Sequence, residues 1–310
     1  MGYGYVSALG LELLAAASDH GAGVRIGVLD SGTPTPFACI NGVRYHVRRP
    51  LVFDSLGHST EIASIMVGGS NIGGICTRSD LWYIPVLDED GSGSIDSVTK
   101  GIYKAIECDV DIINLSLGFA RTQTCPKKLE RACRDAFDAG KAVVCAAGND
   151  GGSVNWPAAL ETTISVGSSD KNCLKTSFSS FGEVDFVAPG SELYVQTKDG
   201  GVKKVFGTSF SAAIVSGVAA LLVAGMHRKD HSPGMKAVMK ALRGIAQDVD
   251  APGWDEMTGY GAIGGNGGKN VDPMLCMEIK SGFFGRIVSK LQSIFGFGES
   301  DNKENGNGRV

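Results

Sequence analysis

The chain has 310 residues, 43% hydrophobic and 20% charged, which is an ordinary globular composition with enough apolar residues for a sizeable core. Its 29 Lys and Arg against 33 Asp and Glu leave a net charge of −4, which excludes the basic footprint of a nucleic-acid-binding protein. No run of apolar residues predicts a bilayer span, and neither an internal repeat nor a Pro/Ser-rich linker divides the chain before Gly264.

Taken in chain order, the segment from Met1 to His20 lacks a basic leader and is interrupted by Glu12. It reads as an amphipathic helix packing on the core, not as a signal peptide. Met1-Gly2 lacks the Ser or Thr that myristoylation requires at the sixth position. A β-rich run over 24–29 ends at Asp30. A helix is predicted over 58–67 and stopped by Gly68-Gly69. Strands at 81–87, 111–115, 142–147 and 163–167 then alternate with helices at 95–107, 127–139, 208–225 and 233–243. The helix from 208 has almost no polar face, so it is predicted to be buried. This alternation predicts a doubly wound α/β fold, a mainly parallel sheet with helices on both faces, in one domain over residues 1–263.

The C-terminal part is predicted to be separate. Residues 264–278 read as a glycine-rich linker, 279–297 as an amphipathic helix with an apolar stripe from Phe283 to Phe295, and 298–310 as a disordered tail. The stripe leaves four uses open: docking on the domain, docking of a partner protein, lying on a membrane surface, or acting as a cleavable inhibitory segment.

Three short segments carry chemistry: Val28-Leu29-Asp30-Ser31-Gly32, Gly57-His58-Ser59-Thr60 and Gly207-Thr208-Ser209-Phe210-Ser211. Each sets a polar side chain on a Gly-bearing turn beside an apolar run. Alone, each is an ordinary turn or helix cap. Together they supply an acid, a base and a nucleophile. A serine hydroxyl attacks poorly until an adjacent base takes its proton, and an imidazole titrates in the right range. Ser209 would stand at a helix N-terminus, whose dipole favours a developing oxyanion. Asp30 would stand at the carboxyl end of a strand, where open α/β sheets place their sites.

The order Asp, His, Ser, with these flanks, resembles the subtilisin-like (subtilase) serine peptidases over roughly Gly21 to Arg243. The resemblance implies a catalytic Asp30-His58-Ser209 triad. It also implies an oxyanion donor at Asn149, within Ala146-Ala147-Gly148-Asn149. Substrate would bind between Gly91-Ser92-Gly93 and Ser116-Leu117-Gly118 by added-strand pairing, with Ala147, Gly148 and Asn155 completing the substrate-binding set.

The sequence departs from the family pattern at several positions. Ser59 and Glu61 replace a Gly and the second His of His-Gly-Thr-His. Ala213 replaces a Pro, and Phe119 replaces a Gly. Asn155 stands where many relatives have a Gly at the floor of the S1 pocket, so a shallower, more polar pocket is expected. The stretch from Gly68 to Ile75 is shorter than the calcium loop of secreted relatives and poor in carboxylates, so no metal is expected. No cofactor is expected either.

The eight cysteines are Cys39, Cys76, Cys108, Cys125, Cys133, Cys145, Cys173 and Cys276. None forms Cys-x-x-Cys. With no leader recognised and no room for a pro-domain before Asp30, a cytoplasmic location and free thiols are expected. His20, His46, His227 and His231 lack motif context and are expected on the surface. The sequence therefore predicts a cytoplasmic serine endopeptidase acting on a peptide or protein substrate, with a processing peptidase dedicated to one peptide or partner protein as the narrower reading. Nucleic acid is excluded as a partner, a membrane is not the expected one, and the 279–297 helix is a candidate docking segment for a partner protein. The alternative from another class is a catalytically silent peptide-binding pseudo-peptidase, which the intact triad and oxyanion residues argue against.

Overall fold

The computed structural model describes residues 3–41, 44–46, 51–121, 124–226 and 233–264. The linker beyond Gly264, the 279–297 helix, the 298–310 tail, Cys276, His227, His231 and the His46 side chain lie outside the described residues.

Seven strands form one sheet. They are β1 (Arg25–Asp30), β2 (Arg44–His46), β3 (Asp80–Pro85), β4 (Ile112–Leu115), β5 (Ala142–Ala146), β6 (Ile164–Ser169) and β7 (Phe186–Pro189), in the spatial order β2-β3-β1-β4-β5-β6-β7. Every pairing in it is parallel. The strand order reverses at β1, with β3 on one side and β4 on the other. The crevice outside the carboxyl ends of β1 and β4 is the position at which such a sheet binds ligands.

Because successive side chains point to opposite faces, each strand feeds two cores. Ile26 and Val28 of β1, with Val144 and Ala146 of β5, pack under α1 (His58–Val67), α4 (Thr208–Met226) and α5 (Gly234–Ile245). Leu29, Val143 and Cys145 face α2 (Ile95–Glu107) and α3 (Lys127–Asp138). Burying each large apolar side chain contributes about 1.5–3 kcal/mol. Helices cover both faces, as the alternation predicts.

Local chemistry sets the helix ends. At α2, Ser97 N–H donates to Ser94 Oγ over 3.0 Å and Ser94 N–H donates to Ser97 Oγ over 3.1 Å. This reciprocal cap satisfies donors that the first turn leaves free. At the end of α1, Gly68 turns at φ +80°, and a Cβ there would lie 2.6 Å from Gly74 N, so both backbone and space require glycine.

The structure differs from the sequence reading in three places. The N-terminal segment is two short helices, Tyr5–Ala8 and Glu12–Ala17, broken where Gly10 adopts φ +67°, although Tyr5, Leu9, Leu11 and Leu14 still enter the core. Strands β2 and β7, and the antiparallel hairpin of β8 (Leu193–Gln196) and β9 (Val202–Val205), were not predicted. Helix α4 meets the length and composition of a membrane span, contrary to the expectation that no run does. Some 78% of its apolar window is buried inside this domain, so the core accounts for its composition.

Candidate active site

Asp30 closes β1 and is fully buried. Its Oδ1 accepts from Ser31 N–H over 2.7 Å, and His58 Nδ1 lies 2.9 Å from both carboxylate oxygens. A carboxylate only accepts, so Nδ1 carries a proton and, in the neutral ring, Nε2 is the acceptor. His58 opens α1, its side chain 23% exposed, with its ring 5.9 Å from that of Phe210. Burial disfavours the imidazolium. The Asp30 charge and hydrogen bond, with smaller help from Glu61 and Asp54, outweigh burial and raise the His58 pKa from 6.5 to about 9.

Ser209 is the second residue of α4, entered through Gly207 at φ +140°. Ser116, just past β4, holds Ser209 at both ends. Ser209 Oγ donates to the Ser116 carbonyl over 3.0 Å, and Ser116 Oγ donates to the Ser209 carbonyl over 2.8 Å. The Ser209 proton therefore reaches His58 only after the hydroxyl rotates away from Ser116. Ser116 Oγ also accepts from Asn114 Nδ2 over 3.0 Å, and Asn114 Oδ1 accepts from Ser216 Oγ of α4 over 2.9 Å. This buried chain of hydrogen bonds locks β4 to the helix that carries Ser209.

Asn149 follows β5 and is exposed. Its Oδ1 accepts from Thr208 N–H over 2.8 Å and from Thr208 Oγ1 over 3.0 Å. Those donors fix the amide orientation and turn Nδ2 the other way. Thr208 Oγ1 itself accepts from Gly148 N–H over 3.2 Å.

The expected substrate-binding residues flank this group. Asn155 lies between Gly118 and Gly148. A Cβ at Gly118 would come within 3.1 Å of Asn155 Cβ, and one at Gly148 within 2.6 Å of its Nδ2. Asn155 N–H donates to the Ala147 carbonyl over 2.8 Å, while its Oδ1 is buried without a hydrogen-bond partner. Leu117 packs half-buried against the core, and Phe119, two residues on, bridges to Trp156. Gly91-Ser92-Gly93 forms an ordered turn in which Asp90 Oδ1 accepts from Ser92 N–H and Oγ, and Leu56 packs against Gly91.

The departures from the family pattern find partners here. The buried Glu61 carboxylate pairs with Lys203 of β9 at 2.6 Å, and burial raises its pKa in spite of that lysine. Ala213 sits fully buried in α4. One residue beside the triad escaped the sequence reading. Asp54, 1% exposed, accepts from Ser31 Oγ (2.7 Å), Gly57 N–H (2.7 Å), Thr60 N–H (2.8 Å) and Thr60 Oγ1 (2.6 Å). Its only sequence signal is an Asp four residues before His58, which reads as an ordinary loop acid.

The seven described cysteines form no disulfide with one another. Burial pushes the Cys76 and Cys133 thiols up to about 12 and raises the Cys145 thiol well above the usual thiol range, which makes them inert. Among the described residues, no three His, Cys, Asp or Glu side chains gather as a metal site.

Comparison with known proteins places this arrangement. The subtilase family model matches residues 21–261. The chain is 32% identical to subtilisin DY of Bacillus licheniformis over 224 residues, which is 68% of this chain and 81% of that one. Longer curated proteases are matched over 54–58% of their length. Among solved structures, the prenylagaramide maturation protease PagA superposes with a TM-score of 0.71 at 25% identity, covering 85% of this chain and 97% of that one. A lanthipeptide protease gives 0.68 at 26% identity, covering 83% and 91%.

Proposed function

Because this chain belongs to the subtilase family of serine peptidases, we propose that it cleaves peptide bonds through an acyl-enzyme on Ser209. His58 Nε2 takes the Ser209 proton as Oγ attacks the substrate carbonyl carbon. The resulting oxyanion is held by Asn149 Nδ2 and the Ser209 backbone N–H. His58 then gives its proton to the leaving amine, and a water deacylates the enzyme by the same route. Asp30 keeps the imidazole in the productive tautomer and stabilises the imidazolium.

The observation that carries this reading is the pair of fixed orientations. His58 Nδ1 is held on Asp30, and Asn149 Oδ1 is held on Thr208 at the N-terminus of the helix bearing Ser209. The substrate proposed is a peptide or small partner protein that this enzyme processes. Similarity over most of the chain to a maturation protease and a lanthipeptide protease supports that choice. By the family resemblance, Asn155 floors the S1 pocket and favours a small P1 side chain or one that donates to its unpartnered Oδ1. Cysteines without disulfides among the described residues suit a reducing compartment, and we place its work inside the cell.

Profiling a peptide library with the purified protein beside Ser209→Ala tests the reading. Cleavage of defined bonds by the wild type alone supports it. Peptide binding without cleavage by either protein would point to a pseudo-peptidase.

A further inference from the structure

We propose that Asp54 is a positioning residue of the triad, coupling the acid Asp30 to the helix that carries the base His58 through the single hydroxyl proton of Ser31. This rests on His58 acting as the base of the proposed reaction.

Ser31 Oγ stands between two buried carboxylates, 2.7 Å from Asp54 Oδ1 and 3.0 Å from Asp30 Oδ1. It also accepts from Ser59 N–H over 3.2 Å. One proton cannot serve both acids at once, and the shorter contact assigns it to Asp54. Asp30 then keeps its negative charge for His58 rather than spending it on a neutral hydroxyl. The other three bonds of Asp54 go to Gly57 N–H, Thr60 N–H and Thr60 Oγ1, which bracket His58 in sequence. Two of these donors are backbone groups at the start of α1, so Asp54 acts as the cap of that helix although it lies outside the helix itself. The same carboxylate therefore anchors the turn that aims the imidazole and decides the hydrogen bonding of the acid.

The charged groups around the imidazole are Asp30, Asp54 and Glu61, the last paired with Lys203. On the outer side of Asp54, Lys198 and Asp199 line a cavity with Phe37 and Phe53. Lys198 donates to the Ser55 carbonyl, not to Asp54. Among the described residues, the proton arrangement around Asp54 thus depends on Ser31, Gly57 and Thr60. Removing the Asp54 charge has two consequences. The imidazolium is stabilised less, so the His58 pKa falls. The transition state, which contains that imidazolium, also loses stabilisation, so the plateau rate falls.

The test compares wild type, Asp54→Asn and Ser31→Ala in kcat, KM and the pH profile of kcat/KM on a peptide the wild type cleaves. Asp54→Asn should lower plateau kcat by about tenfold or more and move the acid limb to lower pH by about half a unit or more. KM should change less than about twofold. Ser31→Ala leaves the contacts of Asp54 with α1 intact and reads the coupling even if Asp54→Asn does not fold. It should give a smaller fall in kcat and move the limb the opposite way, to higher pH, because Asp54 loses the hydroxyl dipole that partly offsets its charge. If either variant folds and keeps the wild-type limb, losing only thermal stability, Asp54 is structural and the inference is overturned while the peptidase reading stands. A folded wild type that cleaves nothing overturns both.

Discussion

The Thr208 backbone N–H donates to Asn149 Oδ1 over 2.8 Å, and this bond decides which end of the Asn149 amide faces the reaction. The donor is obligatory, so the oxygen must face it and Nδ2 must face away. A side chain on an exposed turn thereby becomes a fixed donor beside the helix N-terminus that carries Ser209.

If Nδ2 stabilises the oxyanion, Asn149→Ala should lower kcat by roughly 10²- to 10³-fold, the loss that subtilisin itself suffers when it loses such a donor. KM should barely move, because the interaction strengthens only in the transition state. Steady-state kinetics on a cleaved peptide read this directly. A near-normal kcat would reduce Asn149 to a turn residue.

The raised His58 pKa gives a pH signature. The base works only when neutral, so activity should rise with pH, with the acid limb of kcat/KM above 6.5 and towards about 9. Asp30→Asn should move the limb down, since Asp30 is the main source of the rise. The stability effect follows the same sign. A group whose pKa is raised on folding adds stability that is fully present below 6.5 and is lost as pH passes about 9. The melting difference between wild type and His58→Ala should therefore shrink across that window. A limb at or below 6.5 contradicts the electrostatic account of the pair.

The S1 assignment predicts a specificity change. Asn155→Gly removes the side chain wedged between Gly118 and Gly148 and the orphaned Oδ1 with it. Cleavage after large apolar P1 residues should rise relative to small ones by about tenfold, the scale of a few methylenes' worth of pocket. Library profiling of both proteins would show it. An unchanged P1 ranking means that Asn155 does not floor the pocket.

Thermal stability should be indifferent to reductant and to EDTA. The described cysteines form no disulfide, and no three His, Cys, Asp or Glu side chains among the described residues gather so as to hold a metal. Differential scanning fluorimetry with and without each agent checks this. A fall of several degrees with EDTA would reveal a bound metal, and one with reductant a disulfide.

Much of the site was legible in the sequence because each triad residue sits where local patterns are strongest. Asp30 ends an apolar run, His58 follows Gly57 and opens a helix, and Ser209 lies two residues after Gly207 in the first turn of another. The five strands and five helices read from periodicity appear within a few residues of their predicted ends. What escaped depends on long-range partners. Asp54 reaches the acid Asp30 through Ser31, 23 positions earlier, and Glu61 pairs with Lys203 on a distant hairpin. Strand β2 has three residues and β7 ends at Pro189, both too short for a period to emerge. The break in the N-terminal helix was visible at Gly10, but the apolar residues on either side favoured one continuous helix.

The central claim, that Ser209 is a nucleophile activated by His58, is tested most directly with a fluorophosphonate probe and mass spectrometry of the labelled peptide. The wild type should carry one probe per chain on Ser209, Ser209→Ala should carry none, and His58→Ala should label far more slowly. Label that persists in Ser209→Ala, or a folded wild type that takes no label, would contradict it.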